Sequence, residues 1–425
     1  MKLFNTLLLS ICFVLGSIFS FGNQAKHQQT KPKNTTEKQV QLNAEKTSSK
    51  VIPAAWRTET YLPKLENKRI GLVVNQTSTI GKTHIVDSLL NLGIDIGTVF
   101  APEHGFRGNH SAGAKVNSGE DAQTGLKITS LYGTHKKPTI EDLKGIDLVV
   151  FDIQDVGARF YTYLSTMHYV MEACAEQGKS VLILDRPNPN GFYVDGPILE
   201  EKYKSFVGMH PIPIVHGMTL GELAQMINGE GWLKNAVKTD LTIIKCLNYN
   251  HNKKYELPIK PSPNLPTYAS IMLYPSLCFF EGTNISVGRG TDKPFECFGR
   301  PNLANKQYKF IPKSIPGVAA NPPYKNQQCS GILLTSFGIN FIPNSRGLYL
   351  EWLILCYEES KKDNLKLFNN FFDKLAGTDQ LRKQIIAGKT SKEIKSTWSE
   401  GLSNFKKQRK PYLLYPFNEK RGIIE

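Results

Sequence analysis

Residues 69–75 read RIGLVVN and run straight into Gln76-Thr77-Ser78. Between Arg69 and Asn75 every side chain is aliphatic or absent. An unbroken apolar run of this length lacks the alternation of a strand with one wet face, so it reads as a strand covered on both faces. Working outward, a helical pattern is expected over residues 84–92 and a strand over 96–101. LVVFDI at 148–153 is a second buried-type strand, and residues 161–177 are long enough for a helix, with Gly178 as its stop. VLILD at 181–185 and the stretch 212–216 read as further strands. Thr219 then opens the helix TLGELAQMINGEGW, with Glu222 three residues on to complete a capping box, and 241–245 is one more strand. Strands alternating with helices specify an α/β fold: a mostly parallel sheet with helices on both faces.

The chain divides around this unit. Residues 51–257 are expected to form the parallel-sheet domain that carries the chemistry. Pro258, Pro261, Pro263 and Pro266 mark a rigid connection into a smaller α+β domain over 258–425, with helices expected at 346–361 and 365–375. Residues 1–22 read as an export signal: Lys2, an apolar core at 7–19, then Ser20-Phe21-Gly22. The alternative is an uncleaved anchor, since the apolar stretch approaches the roughly 20 residues that span a bilayer. Residues 23–50 are polar, too poor in aliphatic side chains to offset their ordering entropy, and are expected to be a disordered linker. Export would place the protein in the periplasm or cell envelope.

Of 425 residues, 40% are hydrophobic, enough for a sizeable core, and the formal net charge is +15. A basic balance suits an anionic partner, or is simply a soluble surface. No Lys/Arg block interleaves with aromatics, so nucleic acid is not supported. Of seven cysteines, Cys12 falls in the signal. The other six permit disulfides in an exported protein, but without a CxxC pair they do not suggest zinc.

Ligands in open α/β sheets bind beyond the carboxyl ends of the strands. There the sequence places Asn75, then Pro102-Glu103-His104-Gly105-Phe106-Arg107, then Asp152, Asp155 and Arg159, then Asp185 to Asn188, then His216. This set suits acid–base cleavage of a glycosidic bond, which needs one protonated carboxyl for the leaving oxygen and usually a second carboxylate. Glu103 is the candidate acid: partial burial between Pro102 and Gly105 would keep it protonated, while an ion pair with Arg107 is its structural alternative. Asp152 or Asp155 is the second carboxylate, although Asp155 is as readily a helix cap. Asp185 is expected to orient Arg186. Arg159 and Arg289 suit two-point binding of a substrate carboxylate, and Tyr161 and Tyr163 stacking on a sugar or packing of a helix. Residues 282–292, rich in glycine and small polar side chains, are expected to reach the substrate from the second domain. No GxGxxG opens the first helix, so no dinucleotide cofactor is expected. No G-x-S-x-G elbow is present. Glu103, His104 and His110 do not have zinc spacing, so no metal is assigned.

NQTS at 75–78, PEHGFRG at 102–108, FDIQDVGARFYTY at 151–163, LDRPNPNG at 184–191, VHGMTLGELA at 215–224 and EGTNISVGRGTDKPFE at 281–296 resemble the NamZ-type exo-β-N-acetylmuramidases. The resemblance runs from about residue 65 to the C-terminus. It implies a Rossmann-like N-terminal domain, a smaller C-terminal domain and a site between them. It also implies release of terminal β-1,4-linked N-acetylmuramic acid from peptidoglycan fragments, with Glu103 catalytic. Asn75, His104, Arg107, Arg159, Tyr163, Asp185, Asn188, His216 and Arg289 carry over as substrate-binding candidates only. Arg107, Arg159 and Arg289 would meet the lactyl carboxylate of the substrate. No stable protein partner is implied. The readings that compete are another cell-wall hydrolase, metal- or acid-dependent and acting on an amide or ester bond, and a non-catalytic peptidoglycan-binding module.

Overall fold

Seven strands make the central sheet: β1 (Ile70–Val74), β2 (Ile96–Ala101), β3 (Gly119–Glu120), β4 (Lys127–Ser130), β5 (Leu148–Asp152), β6 (Ser180–Leu184) and β7 (Leu241–Ile244). The computed structural model describes residues 50–103, 105–107, 118–304 and 307–417. The signal over 1–22 and the linker up to residue 49 lie outside the described residues, as does His104. The strand order is β3-β4-β2-β1-β5-β6-β7. All neighbours are parallel except β3, which runs antiparallel to β4 at the edge. The chain leaves β1 to build outward through β2 and β4, then returns to β1's other side for β5, β6 and β7. This is the doubly wound arrangement, and its direction reverses beside β1.

The two faces of the sheet explain the apolar runs. Ile70, Leu72 and Val74 of β1, with Leu148, Val150, Leu182 and Leu184, face one core. Helices α1 (Thr58–Leu65) and α2 (Ile85–Asn91) cover it with Tyr61, Leu65, Ile85, Val86 and Leu89. Val73, Val149, Phe151, Val181 and Ile183 point the other way. There they meet α3 (Tyr163–Glu176) and α4 (Leu220–Gly229), whose Leu164, Met167, Val170, Met171 and Cys174 follow the helical repeat. Each fully buried aliphatic side chain contributes about 1.5–3 kcal/mol, so both faces hold the sheet. The expected capping box is present: Glu222 N donates to Thr219 Oγ1 at 3.2 Å, and Thr219 N donates to Glu222 Oε2 at 2.9 Å.

One expected strand is corrected. Residues 212–216 are not a sheet strand; Val215 makes only isolated bridges to Ala158 and Asp195. Pro211 and Pro213 remove the amide donors that a ladder needs. The sheet's place on that side is taken by β7, and β4, too polar to stand out in the sequence, extends the other side.

The second core is shared. Helix α5 (Tyr268–Leu277), buried along nearly its whole length, and side chains as far along as Phe405 pack into the same cluster as α3 and α4. This later part has its own antiparallel sheet of β8 (Cys297–Arg300), β9 (Tyr308–Phe310) and β10 (Cys329–Leu333), with β10 central. The helix expected at 346–361 is α6 (Glu351–Lys362). That expected at 365–375 is reduced to α7 (Phe372–Ala376), because residues 366–369 pair instead with the 282–284 backbone: Asn284 N donates to Leu367 O and Asn369 N to Gly282 O. Cys174, Cys246, Cys278, Cys297, Cys329 and Cys356 are all buried thiols, so the six described cysteines form no disulfide. No described helix is long and apolar enough to cross a membrane.

Candidate functional site

At the carboxyl end of β1 the NQTS segment folds into a tight side-chain turn. Asn75 Oδ1 accepts from Thr77 N at 2.9 Å and from Thr77 Oγ1 at 2.6 Å. Ser78 Oγ donates to Asp152 O, and Gln154 N donates to Thr77 Oγ1 at 3.0 Å. The ends of β1 and β5 are thereby tied together at the point where the strand order reverses. Beside them, β2 ends in a turn in which Gly105 N donates to Pro102 O at 3.0 Å. Gly105 has φ +78°, the left-handed region where a Cβ is disfavoured, and this bend turns Glu103 away from the strand.

Glu103 is half-buried and lines a cavity of about 220 Å3. Tyr132 Oη donates to its Oε1 at 3.0 Å and Thr162 Oγ1 to its Oε2 at 3.2 Å. The opposite wall comes from the expected 282–292 loop and its flank, with Arg289 and Glu281. Arg289 Nε donates to Glu281 Oε1 at 2.6 Å, and its guanidinium lies 5.1 Å from the Phe295 ring centroid. Burial pulls the Arg289 pKa down, but Glu281 offsets this and holds it above the ordinary value. The charged described residues on the cavity wall are these three: Glu103, Glu281 and Arg289. Phe160, Tyr161, Tyr274 and Phe371 add aromatic surface.

Tyr163 reaches the cavity in a different way from that expected. Its ring is buried edge-on against Tyr161, with centroids 5.0 Å apart and planes at 85°, so it has no free face for a sugar. Its Oη and Asn75 Nδ2 are both buried from solvent. Tyr161 Oη is committed to Pro261 O at 2.7 Å.

The remaining predicted residues serve the fold. Asp152 is wholly buried in a two-point pair with Arg186, Nε to Oδ1 at 2.5 Å and Nη2 to Oδ2 at 2.8 Å. It is therefore Asp152, not Asp185, that orients Arg186. Asp185 receives Thr219 Oγ1, Tyr415 Oη and Gly221 N, fastening the start of α4 and the C-terminal segment. Asp155 Oδ1 accepts from Gly157 N at 2.6 Å while Oδ2 has no partner among the described residues; burial pushes its pKa up to about 7. It is not on the cavity wall. Gly157, at φ +79°, packs so closely on Asn188 that a Cβ would stand 2.1 Å from Asn188 Oδ1. Asn188 itself is buried, donating to Met218 O. His216 is buried with Nδ1 accepting from Met218 N, and burial lowers its pKa to about 3.

Two arginines are corrected as carboxylate binders. Arg159 is buried, with Nη1 donating to Pro197 O and Ile212 O and Nη2 to Leu375 O and Ala376 O. It is a strut between the segments before and after the central loops, and burial lowers its pKa to about 9. Arg107 pairs with Asp121 (3.0 and 2.7 Å) and Asp87 (3.4 Å), so it is Asp121 rather than Glu103 that takes this cation. Among the described residues no three His, Cys, Asp or Glu side chains converge as metal ligands. The residues that sequence reasoning passed over are Tyr132, Thr162 and Glu281. Tyr132 lies outside every motif; Glu281 opens the 281–296 motif, one residue before the loop expected to reach the substrate.

Sequence comparison places this geometry among known proteins. Residues 70–269 match the family model described as exo-β-N-acetylmuramidase NamZ, N-terminal, and residues 272–415 its C-terminal counterpart. The peptidoglycan β-N-acetylmuramidase NamZ of Bacillus subtilis (strain 168) is 40% identical over 382 residues, which cover 84% of this chain and 89% of that protein. Two crystal structures of DUF1343 family proteins from Bacteroides fragilis NCTC 9343 are similar in fold. One has TM-score 0.81 and 49% identity, the other TM-score 0.71 and 27% identity; each comparison covers 87% of this chain and 100% of the other.

Proposed function

Because this chain belongs to the NamZ exo-β-N-acetylmuramidase family, we propose that it is a glycosidase that removes terminal β-1,4-linked N-acetylmuramic acid from peptidoglycan fragments. The observation that carries the reading is the pairing, in one cavity, of the Glu103 carboxyl with the Arg289 guanidinium.

In this mechanism Glu103, aimed by Tyr132 and Thr162, gives its proton to the glycosidic oxygen as the bond to the anomeric carbon breaks. Arg289 meets the lactyl carboxylate that distinguishes muramic acid from N-acetylglucosamine. Its Nε is held by Glu281, so a charge-assisted bond to the substrate would fall to the terminal nitrogens of this cavity-lining residue. Asp152 and Asp155, off the cavity wall, are not the second catalytic group in this reading. That role falls to Glu281 or to the substrate's own acetamide oxygen, and the anomeric configuration of the first product separates retention from inversion. The export signal and polar linker support delivery to the cell envelope, where peptidoglycan is found.

The test is incubation of the purified protein with a chromogenic β-N-acetylmuraminide and, separately, the matching N-acetylglucosaminide. Hydrolysis of the first in strong preference to the second is expected. Failure to cleave the muraminide, or equal rates on both, overturns the reading.

A further inference from the structure

We propose that the open groove beside the cavity is the seat of the departing saccharide. The proposal rests on the muramidase reading and names the part of the same site that holds what is left behind. The groove, about 630 Å3, is lined by Thr283, Asn284, Lys366, Asn369, Asn370 and Phe371 over a floor of Leu367 and Phe368. Two features join it to the cavity. Phe371 lines both, and the loop that contributes Glu281 and Arg289 to the cavity contributes Thr283 and Asn284 to the groove.

An enzyme that closes around one terminal sugar must let the rest of the glycan leave across the rim of that closure. Phe371 stands at that rim with 39% of its surface exposed, a large aromatic side chain left in water where a core would normally claim it. A pyranose ring offers an apolar C–H face and a fringe of hydroxyl groups. An aromatic face flanked by amides matches that pattern: the ring takes the apolar face, and the amides take the hydroxyls. Asn369 and Asn370 are exposed beside Phe371.

The groove is also rigid enough to serve. Asn284 N donates to Leu367 O at 3.0 Å, Asn369 N to Gly282 O at 2.9 Å and Asn284 Nδ2 to Lys366 O at 3.1 Å, so its two walls are stitched together by backbone. Asn369 Oδ1 accepts from Phe371 N at 2.8 Å, fixing the turn that presents the ring. The saccharide meets a formed surface and loses little energy to ordering it.

The experiment compares two substrates with the same muramyl group. One is the disaccharide in which N-acetylglucosamine is the departing sugar; the other is N-acetylmuraminyl β-fluoride, whose leaving group is too small to reach the groove. Hydrolysis of both by the unaltered protein establishes the muramidase reading independently. On that footing, Phe371→Ala is expected to lower kcat/KM on the disaccharide about fivefold and on the fluoride by a clearly smaller factor, because the ring also lines the cavity, with Phe371→Tyr restoring the disaccharide rate. Asn370→Ala, which touches the groove and not the cavity, is expected to move in the same direction by a smaller factor. The fluoride rate doubles as a check that each variant is folded. Equal losses of Phe371→Ala on both substrates would place the ring with the muramyl sugar, and an unchanged disaccharide rate would remove it from binding; either overturns the proposal.

Discussion

Tyr132 Oη donates to Glu103 Oε1 at 3.0 Å, from a residue just past β4 to one just past β2, two neighbouring strands of the sheet. Thr162, at the start of α3, holds the other carboxyl oxygen. The candidate acid is therefore aimed from two elements. Glu103→Gln keeps the shape and the hydrogen-bonding capacity but has no proton to give. Turnover is expected to fall about 10²–10⁴-fold, with substrate still retained in a binding assay. Tyr132→Phe removes only the aim and should cost about tenfold or less in kcat. A Glu103→Gln variant that turns over at the original rate would remove Glu103 from the chemistry.

Arg289 and Glu281 are one unit, joined at 2.6 Å. Loss of a charge-assisted bond to the lactyl carboxylate corresponds to about 10–100-fold. Arg289→Ala should show that loss in kcat/KM on the muraminide and far less on the N-acetylglucosaminide. Glu281→Gln should move the same ratio by a smaller factor, because the guanidinium stays but is less firmly placed. Parallel losses on both substrates would argue against this assignment.

Arg159 should behave in the opposite way. Its removal strands four backbone carbonyls that its guanidinium now satisfies. Arg159→Ala is expected to lower stability by about 3 kcal/mol or more, read from the denaturant midpoint, while the ratio of muraminide to glucosaminide activity in the folded fraction stays put. A changed ratio at unchanged stability would restore Arg159 as a substrate binder.

His168 Nδ1 and His210 Nε2 lie 2.9 Å apart in the core, with Glu172, Lys137, Lys204 and His216 as the charges around them. Burial lowers the His168 pKa to about 4, and burial together with the neighbouring cations lowers His210 as well. A folded-state pKa below the unfolded value of about 6.5 means that the unfolded chain binds more protons in the interval between them. The stability held by the neutral pair is thus complete above pH ~6.5 and declines as pH falls from there toward 4. Asp155, raised to about 7, and Asp185, raised to about 6, act with the opposite sign: their burial costs stability as pH rises through those values. Chemical unfolding of the original protein and of His210→Asn between pH 8 and pH 4.5 isolates the histidines. The variant should lose less stability on acidification; an identical pH dependence would refute the role given to the pair.

The sequence by itself determined the layers. RIGLVVN, LVVFDI and VLILD announce strands buried on both faces, because only unbroken apolar runs supply side chains to two cores at once. It also determined where polar groups collect, since the first residues past such strands must leave the apolar layer. The capping box of α4 was legible for a local reason: both partners lie within four residues. The division of labour among the polar residues was decided by tertiary structure alone. Asp152 and Asp155 are near neighbours in the chain, yet one is neutralised by Arg186 from the next strand and the other sits behind the cavity wall. Arg159 and Arg289 are the same residue type in equally suggestive motifs, and only packing against segments 38 to 217 residues away turned the first into a strut. A side chain's reach to substrate depends on which distant elements claim its hydrogen bonds first, and that competition is settled only when the chain has folded.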